Sequence, residues 1–92
     1  MTKIEEWYRA LSRLGCIVCL NEFEVVSPPE MHHLLRAGRR IDDFYTIPLC
    51  PNHHRSGVNT EQYVSRHPWK KEFEKRYGKE TDLLEQVKSL IN

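Results

Sequence analysis

Apolar residues recur at helical spacing near both ends of the chain. The first stripe predicts a helix over residues 3–14 that ends at Gly15, a residue suited to a helix stop. A second stripe follows Pro68, which suits a first helical position, and ends at Gly78. A last helix is expected after Thr81-Asp82. The apolar members of the three stripes are Ile4, Trp7, Tyr8, Leu11 and Leu14; Trp69, Phe73 and Tyr77; and Leu83, Leu84, Val87, Leu90 and Ile91.

The middle of the chain loses the helical spacing and becomes rich in short β-forming runs. Residues 30–35 and 44–49 predict two strands, with a turn around Gly38 between them. Pro48 restricts the second strand to an edge or an end of the sheet, because proline has no amide hydrogen to donate. These runs predict a short β-hairpin.

Two connecting segments complete the prediction. Residues 20–29 are expected to be extended or looped, because they end in two prolines that cannot lie inside a helix. Residues 61–66 are expected to form a short helix, capped by Asn59-Thr60. Helices that flank a short hairpin give α+β as the predicted fold class.

Length and composition fit one small domain over residues 1–92. Apolar residues make up 39% of the chain and charged residues 29%, which predicts a modest core that a bound metal would help to stabilise. No apolar run approaches the ~20 residues of a membrane span, and the charged first residues lack the apolar centre of a signal peptide. We therefore expect a cytoplasmic protein, in which paired cysteines more often hold a metal than form disulfides.

Positive charge is concentrated in the middle of the chain. The formal net charge is +1, but residues 1–30 carry −2, residues 31–71 carry +4 and residues 72–92 carry −1. A basic surface in this region would contact phosphates, and a merely solvated basic face explains the charges equally well. Its candidate members are Arg36, Arg39, Arg40, Arg55, Arg66, Lys70 and Lys71.

All three cysteines and one histidine fall into two short pairs, Cys16-x-x-Cys19 and Cys50-x-x-His53. Each pair can present two ligands from one tight turn, and two pairs complete a tetrahedral Cys3His site of the kind that zinc prefers. Such a closed structural site would tie the N-terminal helix to the segment after the hairpin. The alternative is a set of free or buried cysteines beside a surface histidine.

The other four histidines are His32, His33, His54 and His67. One arrangement makes chemical sense: His32 and His54 hold a second metal with open coordination positions, and His33 removes a proton from water. Neighbouring residues of a regular strand point to opposite faces, so the strand must bend or end near His33 if both are to face one cleft.

Three segments of the sequence resemble the HNH, or ββα-metal, nuclease superfamily. Within that superfamily they are most similar to the phage recombination-enhancement nucleases, the Ref-type enzymes that depend on RecA. The resemblance covers roughly residues 14–90. The segments are Cys16-x-x-Cys19, Glu30-Met31-His32-His33-Leu34, and Thr46-Ile47-Pro48-Leu49-Cys50-Pro51-Asn52-His53-His54-Arg55.

The resemblance implies a small ββα-metal domain with a structural zinc knuckle and flanking N- and C-terminal helices. It implies that His32 and His54 bind the catalytic metal and that His33 is the general base. The usual position of the third ligand is Val58, which cannot bind a metal. His67 is the preferred third ligand if the chain folds back, and Asn59 is a weaker alternative. Asp43 or a backbone carbonyl would replace the asparagine that orients the base in such nucleases.

The implied activity is metal-dependent hydrolysis of DNA phosphodiesters inside a bacterial host cell, in phage or prophage DNA recombination or processing. The implied cofactors are Zn²⁺ in the structural site and Mg²⁺ or Mn²⁺ in the catalytic site. The implied partners are DNA and the RecA recombinase filament. No membrane association is implied. The candidate DNA-binding residues are Arg36, Arg39, Arg40 and Arg55.

Two other functions account for part of the pattern. A non-catalytic zinc module that binds nucleic acid or protein explains the knuckles and the basic surface, but leaves His32, His33 and His54 without a role. A purely structural zinc protein is the other alternative. Metal stoichiometry distinguishes these interpretations, because the nuclease needs two metal sites per chain and the binding module only one.

Overall fold

Helix α1 forms where the sequence predicts it. In the computed structural model, which describes residues 1–91, α1 spans Lys3–Leu14. Thr2 and Glu5 form a capping box at its start, in which each side chain accepts a hydrogen from the backbone amide of the other residue. Leu11 is fully buried on the inner face of the helix, as its place in the apolar stripe predicts.

Gly15 ends α1 and turns the chain into the core. Its φ of +80° lies in the region that favours glycine, and an added Cβ would lie 2.9 Å from Cγ1 of Val26. The amide of Cys16 then donates to the carbonyl of Ser27 at 3.0 Å. This close approach of two backbone segments fixes where the first cysteine lies.

The second helix, α2, spans Ile17–Phe23, so the prediction of an irregular chain from residue 20 is correct only after Phe23. Cys16 caps α2, because its sulfur accepts a hydrogen bond from the amide of Cys19 at 3.4 Å. The two prolines lie too far along the chain to prevent this helix, and the buried Ile17 and Val18 anchor it.

Short strands follow, and they pair into two small antiparallel sheets. The predicted strand over residues 30–35 is divided at the buried Leu34, whose amide donates to the carbonyl of Tyr45 at 2.8 Å. Ala37 and Gly38 both have positive φ, which suits a tight two-residue hairpin turn. The strands are β1 (Glu30–His33), β2 (Leu35–Arg36), β3 (Arg39–Arg40) and β4 (Thr46–Leu49).

Strand β1 pairs with β4, and His32 lies opposite Ile47 in the register. Every residue of β4 is buried. Pro48 is tolerated because a two-stranded sheet leaves each strand with one unpaired edge, as the sequence predicts. The four-residue helix α3 (Pro51–His54) follows at once, with Cys50 as its N-cap and proline in its first turn.

The predicted helix over residues 61–66 is wrong. This segment contains turns and an isolated bridge between Asn59 and Val64. The amides of Ser65, Arg66 and His67 donate to carbonyls of Val58, His53 and His54. A helix would use those amides internally, so docking against α3 replaces helix formation here.

The chain ends in α4 (Lys70–Tyr77) and α5 (Glu80–Ile91), and Gly78 ends α4 as predicted. Phe73 is fully buried, whereas Trp69 is 37% exposed, so the predicted aromatic stripe is only partly core. Among the helices of residues 1–91, none has the length and apolarity that crossing a membrane requires. The fold class is α+β, as predicted. The apolar core consists of Leu11, Ile17, Val18, Leu34, Ile47, Leu49, Val64, Phe73, Leu83, Leu84 and Val87, with the three cysteines.

Two candidate metal centres

The four side chains of the Cys-x-x-Cys and Cys-x-x-His pairs meet in the core. The N-terminus of α2 presents Cys16 and Cys19, and the start of α3 presents Cys50 and His53. All four residues are buried, and their ligand atoms lie within 4.8 Å of one another. Nδ1 of His53 lies 3.2, 3.5 and 3.6 Å from the sulfurs of Cys50, Cys19 and Cys16. This cluster could hold a metal such as zinc.

The electrostatics of the cluster also suit a cation. Hydrogen bonding from the Cys16 thiol, with further bonds from His53 and Cys19, lowers the pKa of Cys50 to about 3 despite burial. The same pairing with Cys50, together with burial, raises the pKa of Cys16. One sulfur is therefore already favoured as a thiolate, which is the form that binds metal.

Three other histidines, His32, His54 and His67, form a second cluster. They come from β1, from α3 and from the segment before α4. Their ring centroids lie 5.1 Å apart for His32 and His54, and 5.4 Å apart for each pair with His67. One nitrogen from each ring lies within 4.8 Å of the others, so a single ion could bind all three.

The backbone explains how His67 reaches this cluster. The amide of Arg66 donates to the carbonyl of His53 at 2.9 Å, and the amide of His67 donates to that of His54 at 2.8 Å. The segment therefore runs back along α3 in register with it. The fold-back that a His67 ligand requires is present in the structure.

A carboxylate that the sequence prediction missed supports His54. Oε1 of Glu30 lies 2.9 Å from Nδ1 of His54, and Arg55 binds the same carboxylate at 2.7 to 3.0 Å. Arg55 and then His54 lower the pKa of Glu30 to about 2, so this carboxylate is ionised at neutral pH. Metal-binding histidines commonly donate their second N–H to a carboxylate, and that leaves Nε2 of His54 for an ion. The sequence did contain a signal for this role of Glu30. Residues two apart on a strand lie on the same face, as Glu30 and His32 do on β1.

A second missed carboxylate, Glu80, lies behind the other two histidines. Glu80 is buried at the start of α5, where its Oε1 accepts a hydrogen bond from Nε of Arg66. The same oxygen lies 3.3 Å from Nε2 of His32. Burial alone would raise the pKa of Glu80, but His32 and Arg66 outweigh burial and lower it to about 2. Nη1 of Arg66 reaches to 3.3 Å from Nδ1 of His67. No short sequence pattern predicts that Glu80 contacts His32 and Arg66, because these residues lie far from it in the sequence.

The ring of His32 also fits a ligand role. Within residues 1–91, Nε2 of His32 is buried without a correctly aligned hydrogen-bond partner, although Glu80 is near. Burying an unsatisfied polar atom is costly, and an ion beside it would remove that cost. Burial, the largest influence, lowers the pKa of both His54 and His67, which favours the neutral imidazole that binds metal.

His33 has a different set of neighbours. Its Nε2 lies 3.1 Å from the hydroxyl of Tyr8 on α1 and 3.7 Å from Oδ1 of Asp43. Burial and then the positive charge of Arg40 lower the pKa of His33, while Asp43 acts in the opposite direction. Strand β1 ends at His33, as the sequence argument required. The neighbouring His32 instead contacts His54, His67 and Glu80.

The predicted DNA-binding arginines divide into two groups. Arg36, Arg39 and Arg40 are exposed on the β2–β3 hairpin, and within residues 1–91 they take part in no ion pair. Arg55 is also exposed, but its guanidinium binds Glu30. Arg66, a candidate member of the basic surface, is 9% exposed and bound to Glu80, so it does not belong to that surface.

Comparison with known proteins adds one finding. A family model described as "Recombination enhancement, RecA-dependent nuclease" matches residues 3–92. The match confirms the resemblance to the recombination-enhancement nucleases, and it extends to α1, which those motifs do not include. Neither the curated proteins nor the solved structures compared with the chain gave a match.

Proposed function

Because the chain belongs to the family of recombination-enhancement, RecA-dependent nucleases, we propose that it is a metal-dependent DNA endonuclease of the HNH type. The observation that carries the proposal is the meeting of His32, His54 and His67, with Glu30 and Glu80 behind them. A zinc module that only binds nucleic acid would have no use for this second cluster. We place the activity in recombination or processing of phage or prophage DNA, in the cytoplasm of a bacterial host.

The three histidines would hold the catalytic ion. When bound there, a divalent ion supplies positive charge that stabilises the developing charge on the phosphate and on the leaving oxygen. Imidazole ligands suit transition ions better than Mg²⁺, so we expect Mn²⁺ to support cleavage more strongly than Mg²⁺. Glu30 orients the ring of His54. The carboxylate of Glu80 places negative charge 3.3 Å from Nε2 of His32, where it would favour a bound cation. The buried Cys3His cluster would hold zinc and fix the position of α3.

His33 would act as the general base. The negative charge of Asp43, whose Oδ1 lies 3.7 Å from Nε2, favours the tautomer that carries its proton on Nε2. That tautomer leaves the lone pair of Nδ1 to remove a proton from the attacking water. The hydroxyl of Tyr8 holds the Nε2 edge of the ring. The arginines of the β2–β3 hairpin and Arg55 would contact the phosphates of DNA.

The test compares the wild type with His33→Ala on plasmid and single-stranded DNA, with Mg²⁺ or Mn²⁺, and with and without RecA filaments. The variant should stay folded and keep its zinc, while its cleavage rate falls by about 10²–10⁴-fold, the usual contribution of a general base. RecA filaments should stimulate the wild type. Equal cutting by both proteins would show that His33 is not the base.

The pH dependence of the wild type gives an independent check. A general base must be unprotonated, so kcat/KM should fall as pH falls through the pKa of His33. Burial holds that pKa below its ordinary 6.5, and the acid limb should therefore have its midpoint below 6.5. A midpoint well above that value would point to another base.

A further inference from the structure

The outer face of α1 carries a shallow, basic surface, of which the proposed mechanism uses only the hydroxyl of Tyr8. The surface is lined by Tyr8, Arg9, Ser12 and Arg13, which share one face of the helix. Arg9, Ser12 and Arg13 are exposed, and Tyr8 is half-buried. Two guanidinium groups and a hydroxyl, one helical turn apart, form a surface with hydrogen-bond donors and positive charge.

Contacts within the protein explain the charges of this face only in part. Within residues 1–91, neither Arg9 nor Arg13 takes part in an ion pair. The carboxylate of Glu5, four residues before Arg9, is used in the N-terminal cap instead. Like charges four residues apart destabilise a helix slightly. The negative end of the helix dipole stabilises the charge of Arg13, which lies in the last turn, but Arg9 lies too far from that end.

The basic surface of α1 adjoins the proposed base through Tyr8. The hydroxyl of Tyr8, which lines this surface, lies 3.1 Å from Nε2 of His33. A strand held by Arg9 and Arg13 would therefore lie near the ring of His33.

We propose that Arg9, Ser12 and Arg13 bind the phosphodiester backbone of DNA beside the bond that is cut. This inference rests on the proposed nuclease function and extends it, because it assigns a substrate-binding role to α1. Phosphate oxygens accept hydrogen bonds from guanidinium and hydroxyl groups without reading base sequence. The face therefore adds affinity and positions the strand, while sequence preference stays low.

The experiment measures DNA binding by fluorescence anisotropy with the full zinc-loaded chain, in buffer without added Mg²⁺ or Mn²⁺. The variants are R9Q/R13Q and R9E/R13E, compared with wild type on a labelled 20-mer duplex over a series of salt concentrations. The matched control is K75E/K79E, which makes the same charge change as R9E/R13E at the same spacing, on exposed positions at the end of α4 and just after it. Circular dichroism verifies that each helix remains folded.

R9Q/R13Q should weaken binding by about tenfold at 0.15 M salt, and the slope of log K against log salt should become smaller by about 2, since each phosphate contact contributes about 0.9. R9E/R13E should weaken binding further. The control variant should show a smaller change both in the Kd and in the slope of log K against log salt. If R9Q/R13Q binds with the wild-type Kd and slope, or if the control loses as much, the assignment of α1 is overturned.

Cleavage by the same proteins separates this inference from the proposed function. Normal binding by R9Q/R13Q, together with metal-dependent cutting by the wild type, would overturn the role of α1 and leave the nuclease intact. Loss of binding in that variant, with no cutting by the wild type under any metal, would uphold the DNA-binding face and overturn the nuclease. A wild type that binds no DNA would overturn both.

Discussion

The buried pair of Glu80 and Arg66 provides the sharpest test of how the fold supports the histidine cluster. Both side chains are almost excluded from solvent, with 9% and 11% of their surface accessible. Removing one partner of a buried ion pair leaves the other charge without compensation, which costs about 3–5 kcal/mol. A domain of this size has about 5–15 kcal/mol of unfolding free energy in total. Glu80→Leu should therefore remove a large fraction of the stability.

The double variant Glu80→Leu/Arg66→Met separates the charge from the packing. Replacing a whole buried pair with apolar side chains is often neutral or stabilising, so the double variant should recover most of the loss. Urea unfolding at a fixed zinc concentration measures both effects. With a slope of about 1–3 kcal/mol per molar urea, the single variant should lower the unfolding midpoint by at least about 1 M.

The folded double variant then tests whether the carboxylate of Glu80 supports metal binding by His32. Loss of a group that surrounds a metal ligand usually weakens metal binding about 10–100-fold. Titration with Mn²⁺ and the cleavage rate should both show this loss, while the zinc content stays at one ion per chain. Two results would refute the reasoning: a stability of Glu80→Leu within about 1 kcal/mol of wild type, or normal Mn²⁺ affinity in the double variant.

Two further predictions concern the other supports of the metal sites. Cys50→Ser should unfold or strongly destabilise the domain, because it removes the sulfur most readily held as thiolate; unchanged melting temperature and zinc content would disprove the Cys3His site. Glu30→Gln should keep zinc and fold but weaken Mn²⁺ binding about 10–100-fold, since His54 loses its carboxylate partner. Glu22→Gln is a suitable control for that variant, because Glu22 is exposed on α2, and equal effects of the two changes would contradict the role of Glu30.

Local signals predicted much of the fold and the grouping of Cys16, Cys19, Cys50 and His53. Gly15 and Gly78 end helices because no other residue type adopts their backbone conformation easily. The spacing of Cys16-x-x-Cys19 and Cys50-x-x-His53 identifies one set of ligands, because each pair lies in a single turn of the chain. In each case the information lies within a few residues.

Features that depend on tertiary contacts were not predictable from such signals. Residues 61–66 have a plausible cap and no strong apolar periodicity, so docking against α3 decides their conformation. Glu80 follows Gly78 in a segment that the sequence identifies only as the approach to a helix. Its burial against Arg66 and His32 arises because α5 packs beside the strands. The apolar stripe of α1 predicted that the ring of Tyr8 packs inward, but it gave no information about the contact between the Tyr8 hydroxyl and His33.

The shortness of α3 has a consequence for the order in which the protein becomes active. A helix of four residues cannot persist alone in water, and its only two histidines belong to different clusters. Zinc bound by His53 and the cysteines would hold α3 in place, and only then would His54 be correctly placed for the second ion. A newly made chain is thus expected to be harmless to DNA until it has acquired zinc. The supply of that ion would set the moment at which a cell first contains a working nuclease.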